Sequence, residues 1–183
     1  MTRTIALLAL AFTLGAPATA AEYVQAPGSS LTFASRYQGE VFTGRFPSFT
    51  TRLRFDPKQL ATSNLDVAIP LAGVTTRNSD RDSTLQSADF FNTAKYPQAR
   101  FTASRIRSLG GNRYAADGNL TLRGISKPVT LAFTWQSGAR PVLTGKATVK
   151  RLDFNVGGGD WADTELLPND VAISTKVVFT PAK

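Results

Sequence analysis

The chain contains no histidine and no cysteine. Without imidazole there is no Ser-His-Asp triad, no histidine acid–base catalysis and no zinc site of the usual kind. Without thiols there is no cysteine nucleophile, no thiolate metal site and no disulfide, so an exported form must rest on its core and its hydrogen-bonded sheet. The chemistry left open is carboxylate-only metal binding or a two-carboxylate hydrolase. Long apolar runs are also scarce. The main one, Ile5 to Leu14, is too short to cross a bilayer comfortably. It follows Arg3 and precedes Ala18-Thr19-Ala20, the pattern of a secretory signal peptide over residues 1–20. Residues 21–183 are then one exported domain, with no membrane span and a first residue at Ala21 or Glu22.

The net charge is +8, and removing Arg3 leaves about +7. A surplus of this size suits acidic partners or simply keeps a domain soluble. Basic and aromatic residues do alternate at Arg36-Tyr37, Arg45-Phe46 and Arg52 to Phe55. Ordinary strand alternation explains those letters, and with an export signal no nucleic-acid partner is expected.

Period-2 patterning dominates the rest. Leu65, Val67, Ile69 and Leu71 form one clean run; Val171, Ile173, Thr175, Val177 and Phe179 form another. Eight or nine such runs follow one another at hairpin spacing, divided by turn residues such as Asp56-Pro57 and Gly110-Gly111-Asn112. Sequential strands with short turns make an antiparallel meander. Closing it into a barrel hides one apolar face and abolishes the edges, with a two-sheet sandwich as the competitor. The fold class predicted is all-β, an antiparallel eight-stranded lipocalin-like barrel with a short helical insert. Phenylalanines on the inward stripe, broken by Gly44, Gly118, Gly145 and alanines, fit either a tapering cavity or a solid core.

One tract departs from the pattern: TTRNSDRDSTLQSADFFNTAKYPQARF, Thr75 to Phe101. Charges, Leu85, the pair Phe90-Phe91 and Tyr96-Pro97 interrupt the alternation. Such an insert builds a lid, a plug or a pocket mouth. A short helix is predicted near Ser83 to Phe91, capped by Ser79 or Asp80. A second irregular tract runs from Gly157 to Pro168. Carboxylates gather in or beside both: Asp80, Asp82 and Asp89, then Asp153, Asp160, Asp163 and Glu165. Neighbouring Arg77, Arg81 and Arg151 are expected to pair with them, which lowers carboxylate pKa values and suits loop fixing better than general-acid work. No catalytic residue and no metal ligand is assigned. Gly157-Gly158-Gly159 lacks the spacing of a phosphate loop.

Three segments in order carry a resemblance: SADFFNTAKYPQARF from Ser87, DGNLTLRGISKPVTL from Asp117 and RLDFNVGGGDW from Arg151, flanked by FTGRFPSF and LRFDP. Together they resemble the YceI-like family from about Tyr23 to Phe179. The resemblance implies a periplasmic, lipocalin-like barrel that carries a long isoprenoid-type amphiphile, quinone- or polyprenyl-like, with no cofactor and no enzymatic role. On that reading Phe33, Phe42, Phe46, Phe55, Phe101, Phe133 and Trp135 are candidate tunnel walls. Phe90, Phe91 and Trp161 would sit at the mouth or closed end. Arg77, Arg81 and Lys127 are head-group candidates. The competing readings are a solidly packed structural or partner-binding barrel and a carboxylate hydrolase that depends on Asp160 or Asp163. Whether the chain pairs as a homodimer is left open.

Overall fold

The computed structural model describes residues 20–182. The predicted signal peptide, residues 1–20, lies outside the described residues except for Ala20. Nine antiparallel strands follow in order: β1 (Ala21–Tyr37), β2 (Glu40–Arg45), β3 (Thr50–Phe55), β4 (Asn64–Pro70), β5 (Gln98–Gly110), β6 (Arg113–Leu122), β7 (Ile125–Gln136), β8 (Val142–Lys150) and β9 (Asp170–Pro181). Among the described residues one α-helix, α1 (Ser79–Gln86), is present, between β4 and β5.

Nine strands make eight staves. β1 pairs with β2 at its far end, from Thr32 opposite Arg45 to Tyr37 opposite Glu40. Its near end pairs with β3, from Ala21 opposite Phe55 to Val24 opposite Arg52. Thus β2 and β3 run in line along one edge of β1, as a single stave broken at Phe46-Pro47-Ser48-Phe49. Proline there removes a ladder donor, which accounts for a break at that point. The other edge of β1 pairs with β9 and closes the barrel, through a register shift between Ala26 and Ser30. The eight-stranded lipocalin-like barrel is therefore present, with the insert where the alternation lapses.

The alternation reads directly as burial. In β3, Thr51, Leu53 and Phe55 are buried while Thr50, Arg52 and Arg54 are exposed. Gly44 has a specific packing reason. It faces Phe33 across the β1–β2 pair, and a Cβ there would come within 2.2 Å of the Phe33 ring. Only glycine lets that ring lie across the strand.

The topology sorts the connections between two ends. At one end lie the short β5–β6 and β7–β8 turns and the β3–β4 link. At the other lie the β1–β2 and β6–β7 turns, the insert between β4 and β5, and the long β8–β9 connection. The helix of the insert begins four residues earlier than predicted. Its N-cap is Asn78, whose side chain accepts from the Arg81 backbone N–H at 2.9 Å, and not Ser79 or Asp80. An asparagine oxygen satisfies an otherwise orphan donor of the first turn.

Candidate functional site, the barrel interior

The interior is part solid and part hollow. At the short-turn end six aromatic rings from β1, β3, β6, β7 and β9 interlock. Phe55 meets Tyr114 at 5.0 Å and Trp135 at 5.1 Å between ring centroids, edge to face. It meets Phe133 at 5.9 Å, while Trp135 also contacts Tyr23 at 5.4 Å and Phe179 at 5.8 Å. Phe55 and Phe179 are 1% and 0% exposed. Edge-to-face rings each add about 0.5–1.5 kcal/mol beyond their burial, so this end is a plug.

Beyond the plug lies a cavity of about 190 Å³ with an almost wholly apolar surface. Phe33, Phe42, Phe46, Phe101, Leu120, Leu131 and Val177 are among its walls. It follows β9 from Val177 to Val171, roughly 20 Å of strand at about 3.3 Å per residue. A volume of that size along that length is a slot for one chain. Ser35 and Thr51 belong to the wall, yet their hydroxyl oxygens are buried and unpartnered and add almost no polar surface. Among the described residues no Asp or Glu lines the cavity, and none of His, Cys, Asp or Glu forms a cluster suited to a metal ion.

The far end is closed by main chain. Phe90 and Phe91 from the insert, and Arg151, Val156 and Leu167 from the β8–β9 connection, line the cavity there. Arg151 organises this cap and is 3% exposed. Its Nε donates to Pro168 O at 3.1 Å; Nη1 donates to Val156 O at 3.0 Å and to Gly157 O; Nη2 donates to Trp161 O at 2.7 Å and Leu167 O at 2.6 Å. Five donors meet five carbonyls, the full capacity of a guanidinium. Burial pushes its pKa down, but arginine stays charged, held by carbonyl dipoles instead of a carboxylate. Gly157 sits in the left-handed region (φ 64°), and a Cβ there would lie 2.9 Å from Arg151 Nη1 and 3.0 Å from the Phe90 ring. Its N–H donates to Asp89 O at 2.7 Å, and Arg123 Nη1 donates to Ala88 O at 2.8 Å and to Phe90 O. The two irregular tracts are thus joined into one cap.

The sequence candidates divide accordingly. Phe33, Phe42, Phe46, Phe90, Phe91 and Phe101 reach the cavity. Phe55, Phe133 and Trp135 do not; they form the plug, because inward parity fixes a face and not a height along the barrel. Trp161 lies behind the cap, 5.3 Å from the Phe90 ring and 6.0 Å from Tyr37. Lys127 is exposed in β7, opposite Leu120, and Arg77 is exposed in the insert. Arg81 lies with its guanidinium carbon 4.5 Å above the Phe42 ring.

The expected pairing of insert and cap carboxylates with Arg77, Arg81 and Arg151 does not occur. The ion pairs among the described residues are Arg54–Glu22, Arg100–Asp66 and Arg107–Asp117, all on the outer wall. Asp82 instead accepts from Thr75 Oγ1 at 2.8 Å, Thr76 N at 2.6 Å and Thr76 Oγ1 at 2.7 Å. Burial pushes its pKa up, but those hydrogen bonds outweigh it and hold the carboxyl below its ordinary value. Sequence reading missed Arg151 as the central residue of the cap. The signal was its parity: Ala147, Val149 and Arg151 follow one inward phase, with a charge where an apolar residue belongs.

Residues 23–179 match the YceI-like domain. A UPF0312 protein of Vibrio campbellii (strain ATCC BAA-1116) is 29% identical over 173 residues, covering 87% of this chain and 92% of that protein. Among solved structures, Burkholderia cenocepacia BcnA superposes with a TM-score of 0.79 at 32% identity, over 82% of this chain and 95% of BcnA. A polyisoprenoid binding domain from Saccharophagus degradans, implicated in plant cell wall breakdown, superposes with a TM-score of 0.67 over 89% of this chain and 99% of its own. At 19% identity that likeness carries the fold alone. The domain match takes in the aromatic plug, the insert and the arginine-held cap together, and this chain belongs to the YceI-like family.

Proposed function

We propose that this protein is a carrier that holds the hydrocarbon chain of an isoprenoid-type amphiphile inside the barrel, and that it works in the periplasm. The observation that carries the reading is the apolar slot of about 190 Å³, stopped at one end by packed aromatics. Transfer of a chain from water into such a slot gains about 0.8 kcal/mol per buried CH₂. Six of the phenylalanines named from the sequence, Phe33, Phe42, Phe46, Phe90, Phe91 and Phe101, are the proposed chain contacts. One neighbour that shares the fold is a polyisoprenoid binding domain, so the architecture itself is one that can hold such a chain. The apparent export signal supports the compartment. A binding role is favoured over catalysis because no carboxylate among the described residues lines the cavity and the depressed pKa of Asp82 is the wrong direction for a general acid.

The test is mass spectrometry of the organic extract of protein purified gently from its native host. An amphiphile absent from a denatured control is expected. Ala147→Phe, which fills the slot between Leu131 and Ile173, should fold and lose that species. An empty wild-type extract would count against the carrier reading. N-terminal sequencing of the same sample should begin at Ala21 or Glu22; an intact Met1 would argue against export.

A further inference from the structure

The barrel wall has one junction that main-chain pairing does not close. Successive strands from β3 to β9 are hydrogen-bonded, and β9 pairs back onto β1. β2 is bonded to β1 along one edge only. Along its other edge, among the described residues, stands the single bridge between Arg45 and Thr75, with N–H to carbonyl distances of 2.9 and 3.1 Å. From there to the β1–β2 turn the gap is covered by side chains of the insert. Phe42 on β2 and Phe46, the residue that follows the strand, are half-buried and also line the cavity, as do Leu85 of α1 and Phe91. Side-chain packing opens by rotamer change, whereas a paired ladder must break several hydrogen bonds.

At the rim of this seam Arg81 lies over the Phe42 ring, half-buried. Among the described residues its guanidinium has no carboxylate within salt-bridge distance and no hydrogen bond. The adjacent carboxylate, Asp82, is engaged by Thr75 and Thr76. Arg151, which lines the cavity, gives all five donors to carbonyls, whereas Arg81, outside the lining and over the Phe42 ring, gives none. A guanidinium fork that is always charged and already oriented by a ring suits a planar or tetrahedral oxyanion.

We propose that the seam between β2 and α1 is the portal of the barrel, and that Arg81 binds the anionic oxygens, carboxylate or phosphate, of an amphiphile whose chain passes beside Phe42 into the cavity. This rests on the carrier reading and adds the acidic class of the head group.

The experiment measures binding of cis-parinaric acid and of its methyl ester by fluorescence, with geranylgeranyl phosphate and geranylgeraniol as competitors. Wild-type protein should prefer the charged member of at least one pair. Arg81→Met, which keeps an unbranched stem against Phe42, should weaken that member about tenfold, the scale of a charge-assisted hydrogen bond. It should leave the neutral member within about twofold, which also shows that the variant is folded. Whichever pair responds identifies carboxylate or phosphate. A preference kept by Arg81→Met in both pairs, or an equal loss for charged and neutral members, would overturn the head-group assignment. Phe42→Ala should raise the association rate of the methyl ester as well as its release; an unchanged association rate overturns the portal. Failure of the wild-type protein to bind any of the four molecules would instead reject the carrier reading itself.

Discussion

The two ends of the barrel are closed by different physics. The short-turn end is stopped by side chains: Phe55, Tyr114, Phe133, Trp135, Phe179 and Tyr23 fill the lumen with no need of a polar partner beyond the ladders they stand on. The opposite end is stopped by backbone folded around one cation, with Arg151 gathering carbonyls from Val156 to Pro168. An aromatic plug gains its stability from area and is insensitive to its exact loop sequence. A cap of irregular main chain must satisfy every buried carbonyl, and a single side chain that does so becomes indispensable. The difference accounts for why a ligand would enter on the side of the cap and the β2 seam and not through the plug.

The largest effect is expected at the plug. Phe55→Ala should lower global stability by about 3–5 kcal/mol, the usual cost of emptying a packed aromatic site. Urea unfolding should show this, with affinity for a chain-bearing ligand nearly unchanged in the folded fraction. A large loss of affinity at intact stability would mean that the plug belongs to the binding site. Next comes Arg151→Met, expected to cost about 2–4 kcal/mol by leaving carbonyls unpaired. Hydrogen exchange should locate the damage: protection lost over residues 156–168, and retained in β5 to β7. Uniform loss would show that the cap is not an independent unit.

Asp82→Asn comes third, at about 1–3 kcal/mol, through weaker bonds to Thr75 and Thr76. The pH dependence follows from the depressed pKa of Asp82. Its contribution is complete above the unfolded-state value near pH 4 and is lost as pH falls through the lower, folded value. Thermal unfolding scans should therefore show an acid loosening in the wild-type protein that is reduced in Asp82→Asn. The smallest effect is reserved for the outer wall. Glu22→Gln, which removes the exposed pair with Arg54, should leave the urea midpoint within experimental scatter. A clear shift there would mean that the wall arginines do more than keep the surface charged.

Some of this was legible in the letters. Leu65 to Leu71 and Val171 to Phe179 alternate cleanly because each strand buries one face, so β4, β9 and the barrel class could be read directly. The interrupted stave could not. Phe42, Gly44 and Phe46 carry the alternation up to Pro47, and nothing in the local pattern says that β2 and β3 continue one another along β1. The helix start was missed because Asn78, Ser79 and Asp80 are all competent caps, and the choice depends on which oxygen reaches the Arg81 N–H.

The letters alone settle which residues face inward, where the regular pattern stops, and that imidazole and thiol chemistry are absent. Those are one-dimensional properties of period and composition. Folding in three dimensions settles that Phe33 meets a cavity while Phe55 meets a plug, since height along a barrel depends on stagger between strands. It also decided the fates of the arginines. The carbonyls that hold Arg151 belong to the backbone, which every residue shares and no letter records. The openness of the Arg81 guanidinium depends on where Asp82 found its own partners.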